Sequence, residues 1–262
     1  MAKDVDALTK QGVEAVQKPV NAWRENIADA NAIAPKPARH YRAWVFQGYL
    51  VGTVVLFIIL AFLAKTIAYF TFDVTITRDL QTFHAGWFDS LMYSLSWIGF
   101  PPQAWIIPVI IIGFLFISSL KWETLVTTVS LIGSSLLVFL IKTTVVRPRP
   151  TADLVNVLKQ LPSYSFPSAH VVFIVTFGGF LLFLVYTLLK ISWWRSGLMF
   201  ILGMMIAFMG VSRIYEGQHW ASDVLGAYLL GSVWLSLTIL VYRWGKPRYF
   251  VNQPVAKETP HA

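Results

Sequence analysis

A histidine and a carboxylate stand four residues apart within residues 212–223, which read SRIYEGQHWASD. If His219 opens a helix, Asp223 falls on the same face one turn later. A carboxylate in that place can accept a hydrogen bond from one imidazole nitrogen, fix the tautomer and leave the other nitrogen free to act as a nucleophile. A local pair that only stabilises the helix is the alternative for these two residues taken alone.

A second cluster carries cations that suit a phosphoryl group. Residues 142–150 read KTTVVRPRP, so Lys142 is followed seven residues later by Arg149, which stands between two prolines. The prolines stop a helix and stiffen the loop. Arginine offers a planar fork for phosphate oxygens and lysine offers a compact charge. Basic side chains that reach for the membrane surface at a helix end are the alternative.

A third cluster, SFPSAH at residues 165–170, precedes a strongly apolar run. Ser168 is predicted as an N-cap, and the free N–H groups of such a helix start bind anions. His170 then falls in the first turn, where an imidazolium can donate a proton to a leaving-group oxygen. A purely structural histidine is the alternative.

The elements that position these clusters are predicted to be membrane helices. Of the 262 residues, 56% are hydrophobic and 13% charged, and the mean hydropathy is +0.61. Soluble domains carry roughly 25% charged residues. The predicted fold class is all-α, a six-span transmembrane bundle. The six spans are predicted at residues 44–70, 102–120, 122–143, 168–190, 196–215 and 222–243.

The remaining segments are polar or mixed. Residues 1–43 are predicted either as an amphipathic helix on the membrane surface or as a loosely ordered tail, and residues 244–262 as a short polar tail. Residues 71–100 are predicted to form one short interfacial helix. The membrane domain therefore covers residues 44–243. The chain has no cysteine, which excludes disulfides and thiolate metal sites.

The basic residues predict the orientation. Of 21 Lys and Arg residues, 14 fall before the first span, between spans two and three, between spans four and five, or after span six. By the positive-inside rule these regions, and both termini, are cytoplasmic. All three clusters then lie at the non-cytoplasmic face of a cytoplasmic membrane. The net charge of +8 is assigned to membrane lipids and not to nucleic acid.

Together, the clusters resemble the signature K-x6-R-P, P-S-G-H and S-R-x5-H-x3-D of the type 2 phosphatidic acid phosphatase superfamily. The resemblance covers residues 70–243 and departs from the signature at Ala169, where the family usually has glycine. It implies that His219 is a nucleophile forming a phosphohistidine, with Asp223 as its activator. It implies that His170 is the acid. The implied phosphate ligands are Lys142, Arg149, Ser168, the backbone N–H of Ala169, and Arg213.

The resemblance also implies a metal-independent hydrolase without a cofactor. Its partners would be a lipid phosphate and the surrounding membrane lipids. Phosphatidic acid, phosphatidylglycerol phosphate and a polyprenyl diphosphate are the candidate substrates, with the diphosphate favoured. The sequence predicts no oligomeric state.

Other classes of function stay open at this stage. A lipid transporter or scramblase would use the cations to bind head groups, and a metal site would take His170, His219 and Asp223 as ligands. A soluble haloperoxidase of the same superfamily fits six apolar spans poorly. Arg147 is predicted to steer anionic head groups, and Glu216 is predicted to be a solvated loop carboxylate.

Overall fold

Eight helices make up the regular structure of residues 36–249, the part of the chain that this computed structural model describes, and no strand occurs in that part. The all-α prediction is confirmed. In chain order the helices are α1 (Lys36–Thr66), α2 (Thr71–Gln81), α3 (Gly86–Ile98), α4 (Gln103–Ile117), α5 (Lys121–Val145), α6 (Ala169–Leu188), α7 (Trp193–Tyr215) and α8 (Ala221–Tyr249). Helix α6 contains a π-helical stretch at Ile174–Gly178.

Five helices, α1, α5, α6, α7 and α8, are each long and apolar enough to cross a membrane. They agree with the predicted spans except that α1 begins and ends earlier, α7 begins three residues earlier and α8 continues to Tyr249. Helix α1 ends at Thr66, and the carbonyl of Ala68 just beyond it accepts a hydrogen bond from Arg147 Nε (3.0 Å). The predicted amphipathic segment lies outside the described residues except where it enters α1.

The remaining predicted span, at residues 102–120, differs from the structure. Helix α4 has 15 residues, about 22 Å, which is short of the hydrocarbon thickness. Helices α3 and α4 qualify as a span only together, and they are bent by 64° at the break between them. The predicted span at 102–120 is therefore wrong in its start. Residues 71–100 form two helices, α2 and α3, instead of one interfacial helix.

Helix α8 is the central helix, since it packs against α1, α5, α6 and α7. The N-terminal half of α8 contributes to an apolar core that lies next to the three sequence clusters. The side chains of this core come mainly from α6, α7 and α8; the buried members are Val138, Val171, Val172, Ile174, Val175, Met209, Ile214, Val224, Ala227 and Leu230. Rigid packing below the clusters is what allows short polar loops to hold a fixed geometry.

A polar cluster at the far end of α5 marks the opposite side of the bundle. Oε1 of Glu123 accepts hydrogen bonds from the Tyr242 hydroxyl (2.7 Å) and from Lys246 Nζ (2.6 Å). Glu123 and Lys142 are about 28 Å apart along the helix at 1.5 Å per residue. The bundle thus has one end that carries the sequence clusters and another that carries this ion pair.

Candidate active site

His219 lies in the turn between α7 and α8, and Asp223 lies in the first turn of α8. Nδ1 of His219 is 3.6 Å from Oδ2 of Asp223, and both side chains are buried. The same oxygen accepts hydrogen bonds from the Trp220 backbone N–H (2.9 Å) and from the Ser165 hydroxyl. The carboxylate therefore faces Nδ1, which leaves Nε2 as the nitrogen available for attack.

The environment of Nε2 is cationic. Arg149 Nη1 lies 3.2 Å from His219 Nε2. Burial, followed by the positive charges of Arg149, Lys142 and Arg213, lowers the pKa of His219 well below its usual value. The imidazole is therefore neutral at physiological pH, and a nucleophilic nitrogen needs the lone pair that protonation would remove.

Backbone carbonyls hold Lys142 and Arg149 in place. Lys142 Nζ donates to the carbonyls of Tyr164 and Ser165, the latter at 3.2 Å. Arg149 Nε donates to the carbonyl of Ser163 (2.6 Å). Burial lowers the pKa of Arg149 to about 10, so it still carries its charge at neutral pH. These bonds fix both cations before any ligand arrives, which reduces the reorganisation that binding requires.

The third cation, Arg213, is fully buried in the last turn of α7. Its guanidinium donates to the Ser96 hydroxyl, to Gln218 Oε1, and to Glu216 Oε2 at 3.1 Å. It also lies over the ring of Phe100, 5.0 Å from the centroid. Nε of Arg213 has no hydrogen-bond partner among the described residues.

Glu216 is not the solvated loop carboxylate that was predicted. It is 5% exposed, and its Oε2 accepts from the Ser96 hydroxyl (2.6 Å) as well as from Arg213. Burial raises the pKa of Glu216, although Arg213 opposes the shift. The residue after it, Gly217, has φ +63°, and a Cβ there would lie 2.1 Å from the carbonyl oxygen of Asn156. Only glycine fits this approach.

Ser168 and His170 present polar atoms without partners at the start of α6. Ser168 occupies the N-cap position with extended backbone, as predicted, but its hydroxyl makes no capping bond. Its Oγ and the Nε2 of His170 are buried and have no hydrogen-bond partner in the described part of the chain. The ring of His170 packs edge-on against Phe100, with centroids 4.7 Å apart.

Gly99, in the break between α3 and α4, sets the position of the His170 ring. A Cβ at Gly99 would lie 2.1 Å from His170 Cδ2, so the imidazole would have to move. We expect Gly99→Ala to lower turnover about 10- to 100-fold, since small misplacements of a reacting group have effects of this size. Gly113→Ala in α4 is the matched control because a Cβ there meets nothing within 4 Å. Equal turnover in the two variants, measured by phosphate release, would show that the ring position is unimportant.

The structure brings all eight predicted site residues to one end of the bundle. The backbone N–H of His219 donates to the Arg213 carbonyl (3.3 Å), and that of Ser168 to the Asp223 carbonyl (3.4 Å). Phe100 contacts both Arg213 and His170. The contacts described above join the other site residues to these. The eight residues are Lys142, Arg149, Ser168, Ala169, His170, Arg213, His219 and Asp223.

Known proteins resemble the stretch of the chain that carries these residues. The model of the PAP2 superfamily matches residues 123–247, a stretch that contains all eight site residues. The chain thus resembles the PAP2 superfamily over the stretch that carries the site. Phosphatidylglycerophosphatase B from Bacillus subtilis is 28% identical over 178 residues, which cover 67% of this chain and 85% of that protein.

Two solved structures resemble this chain. The first, a transmembrane PAP2-type phosphatidylglycerolphosphate phosphatase from Bacillus subtilis, superposes with a TM-score of 0.66 and 26% identity. That match covers 78% of this chain and 100% of the other. The second, Aquifex aeolicus LpxE, has a TM-score of 0.54 and 23% identity over 66% of this chain and 98% of its own, and supports the fold alone. The chain is thus a membrane protein of the PAP2 fold.

The prediction for Arg147 is also wrong. Arg147 does not face outward to steer head groups; it is 1% exposed and bonded to two buried carboxylates, Asp73 and Asp223. Asp73, Ser222 and Gln218 were not assigned any role from the sequence. Their contacts join residues far apart in the chain, and no local spacing signals them. In the described part of the chain, no group of three His, Asp or Glu side chains has metal-ligand geometry.

Proposed function

We propose that this protein is a membrane lipid phosphatase that acts through a phosphohistidine at His219. The observation that carries the proposal is the buried His219–Asp223 pair, in which His219 Nε2 lies 3.2 Å from Arg149 Nη1 and within the field of two further cations. A head-group carrier needs the cations but has no use for a neutral, oriented imidazole among them. The comparisons support the same class of activity, because the named relatives are lipid phosphatases.

In the first step, the lone pair of His219 Nε2 forms a bond to phosphorus while the bond from phosphorus to the lipid oxygen breaks. The leaving oxygen keeps the electron pair of that bond and takes a proton from His170. Asp223 stabilises the positive charge that develops on the imidazole. Such a nucleophile with an oriented partner divides one difficult step into two easier ones.

The transferring phosphoryl group spreads its charge over three equatorial oxygens. Lys142, Arg149 and Arg213 are the cations that would bind them, together with the Ser168 hydroxyl and the Ala169 backbone N–H. The unpartnered Ser168 Oγ and Arg213 Nε suit this role, because they are buried polar groups that a bound phosphate would satisfy. The methyl group of Ala169 leaves its N–H available.

In the second step, water attacks phosphorus and gives a proton to His170. The nitrogen–phosphorus bond breaks, its electron pair returns to His219, and inorganic phosphate leaves. The site is thereby restored. Charged and polar groups of this chain supply every contact in both steps, and no cofactor is proposed.

A cavity beside His170 suits the lipid part of the substrate. It has a volume of about 320 Å³ and lies between α4, α5 and the start of α6. Its walls are mainly apolar and include Trp105, Val109 and Val138, with His170 and Ala169 on one wall. Trp105 and Val109 are largely exposed on the outside of the bundle. A chain entering from the bilayer would therefore place its head group next to the proposed acid.

We propose phosphatidylglycerol phosphate as the first substrate to test, since the similar Bacillus protein is named for it. The sequence-based preference for a polyprenyl diphosphate stays a prediction. We further propose that the site faces outward from the cytoplasmic membrane. Lys121, Lys190 and Arg195 support this orientation because they lie at or beside helix ends on the side of the bundle opposite the site.

The test is phosphate release in detergent, with a chelator present, from phosphatidylglycerol phosphate, phosphatidic acid and polyprenyl diphosphate. Membranes without the protein, taken through the same purification, are the control. We expect release well above the control from at least one lipid. The scramblase alternative would be favoured by phosphate release equal to the control from all three lipids, combined with lipid movement between leaflets of reconstituted vesicles.

The pH dependence of kcat/KM should report the cationic environment of His219. Because its pKa is depressed, the free enzyme keeps a neutral nucleophile well below pH 6.5 and loses it only as the pH falls through that lowered pKa. Lys142→Gln removes one of the charges responsible, so the acidic limb should move to higher pH. Lys190→Gln, a change at the opposite end of the bundle, is the control. A limb that is unmoved by Lys142→Gln would contradict the assignment.

A further inference from the structure

A buried ion pair lies behind Asp223, on the side away from His219. Arg147 Nη2 is 3.0 Å from Asp73 Oδ2, and Arg147 Nη1 is 2.6 Å from Asp223 Oδ1. All three side chains have 0% exposure. Their charges alternate in sign along a line that ends at the His219 imidazole. Charged side chains buried this deeply destabilise the fold unless each is paired with an opposite charge. Each of the three side chains therefore depends on its neighbour.

Arg147 fixes the rotation of the Asp223 carboxylate. Its Nη1 binds Oδ1, which leaves Oδ2 facing the His219 ring at 3.6 Å. Two further contacts hold the guanidinium itself. Nε donates to the Ala68 carbonyl (3.0 Å), and Cζ lies over the Phe70 ring, 5.3 Å from its centroid. A planar fork bound on three sides has little freedom to turn.

Asp73 fixes the helix that carries Asp223. Its Oδ1 accepts from the Ser222 backbone N–H (2.8 Å), and its Oδ2 accepts from the Ser222 hydroxyl (2.8 Å). Oδ2 also accepts from the Phe70 backbone N–H (3.1 Å). A carboxylate at the start of α8 satisfies a free N–H group there and complements the helix dipole. Asp73 thus fastens α2 to the first turn of α8.

The backbone before Arg147 directs this side chain inward. Val146, the C-cap residue directly after α5, has φ 58°, a left-handed conformation that is unfavourable for a β-branched residue. The chain turns sharply at that point, so Arg147 enters the interior while Arg149, two residues later, lies at the phosphate site. Such strain persists where surrounding contacts impose it.

We propose that Asp73 and Arg147 are positioning residues, which hold Asp223 at the angle and with the charge that His219 needs in order to act. The inference rests on the proposed function. The three groups behind His219 carry a combined charge of −1, because Asp73 balances Arg147 and leaves the charge of Asp223 to the imidazole. Without Asp73, the positive charge of Arg147 would offset the negative charge of Asp223. Asp223 would then stabilise the positive charge that develops on the His219 imidazole less.

A purely structural ion pair is the competing explanation, and kinetics separate the two. The substrate-binding cations are untouched by changes at Asp73. A positioning role therefore predicts a fall in kcat with KM nearly unchanged. A structural role predicts less folded protein with normal kcat for each folded molecule.

The experiment compares the full-length wild type with Asp73→Asn, which keeps the size of the side chain and removes its charge. We expect kcat to fall on the order of 100-fold with KM within about twofold of the wild-type value. Asp79→Asn is the matched control, because Asp79 is an exposed aspartate on the same helix. Size-exclusion chromatography and the thermal midpoint establish how much of each protein is folded.

The double variant Asp73→Asn/Arg147→Gln keeps the test valid if Asp73→Asn folds poorly, since it removes both charges of that pair together and leaves the net charge of the set at −1. A folded double variant with low kcat supports positioning. Normal kcat in either folded variant overturns the inference while the proposed function stands. Absence of phosphate release by the wild type itself would overturn both.

Discussion

Replacement of His219 by alanine is expected to abolish phosphate release from any lipid substrate, with a loss of at least about 10⁴-fold. The reason is that Nε2, which lies 3.2 Å from Arg149 Nη1, supplies the electron pair for the new bond to phosphorus. The measurement is the initial rate of phosphate release at saturating substrate, normalised to folded protein.

His84→Ala is the matched control for that prediction, because His84 is an exposed histidine between α2 and α3 and has no part in the proposed site. We expect it to keep the wild-type rate. If folded His219→Ala retained a tenth of the wild-type rate, His219 could not be the nucleophile. The cationic site would then have to act on a directly attacking water.

His170→Asn is expected to show the second largest loss, about 10²- to 10⁴-fold with a lipid phosphomonoester, the usual range for a general acid. An alkoxide is a poor leaving group, so the proton from His170 matters most with this substrate. With a soluble aryl phosphate, whose phenolate leaves without a proton, the loss in the first step should be much smaller.

The ratio of these two losses tests the role of His170 separately from its contribution to folding. Poor folding or a disturbed phosphate site would reduce both rates by the same factor. A selective loss with the lipid substrate supports the acid role. Equal losses in folded protein would instead assign His170 to phosphate binding or to the second step, where it takes a proton from water.

The long helices were predictable because each is a continuous apolar run of the length that a bilayer requires. Helices α5 and α6 lie within two residues of the predicted spans at each end. The bent pair α3 and α4 was missed, since its first half mixes apolar residues with Ser96, Asp89 and other polar groups. In isolation that composition indicates an interface, whereas in the structure Ser96 is buried against Arg213.

The site residues were predictable to the extent that their spacing is local. The one-turn spacing of His219 and Asp223 and the seven-residue spacing of Lys142 and Arg149 can be read directly from the chain. The burial of Arg147 could not be, because its partner Asp73 is 74 residues away in sequence. A charged side chain becomes a buried one only through partners that the fold supplies, and its own neighbours do not reveal them.

The most direct test of the central claim is to trap the covalent intermediate. Wild-type protein mixed with phosphate-labelled lipid and quenched in alkali during turnover should carry the label on the peptide that contains His219. A phosphorus–nitrogen bond is lost in mild acid, so acid treatment should release the label. Label on His170, or no label on any residue while phosphate release proceeds at the full rate, would contradict the phosphohistidine mechanism.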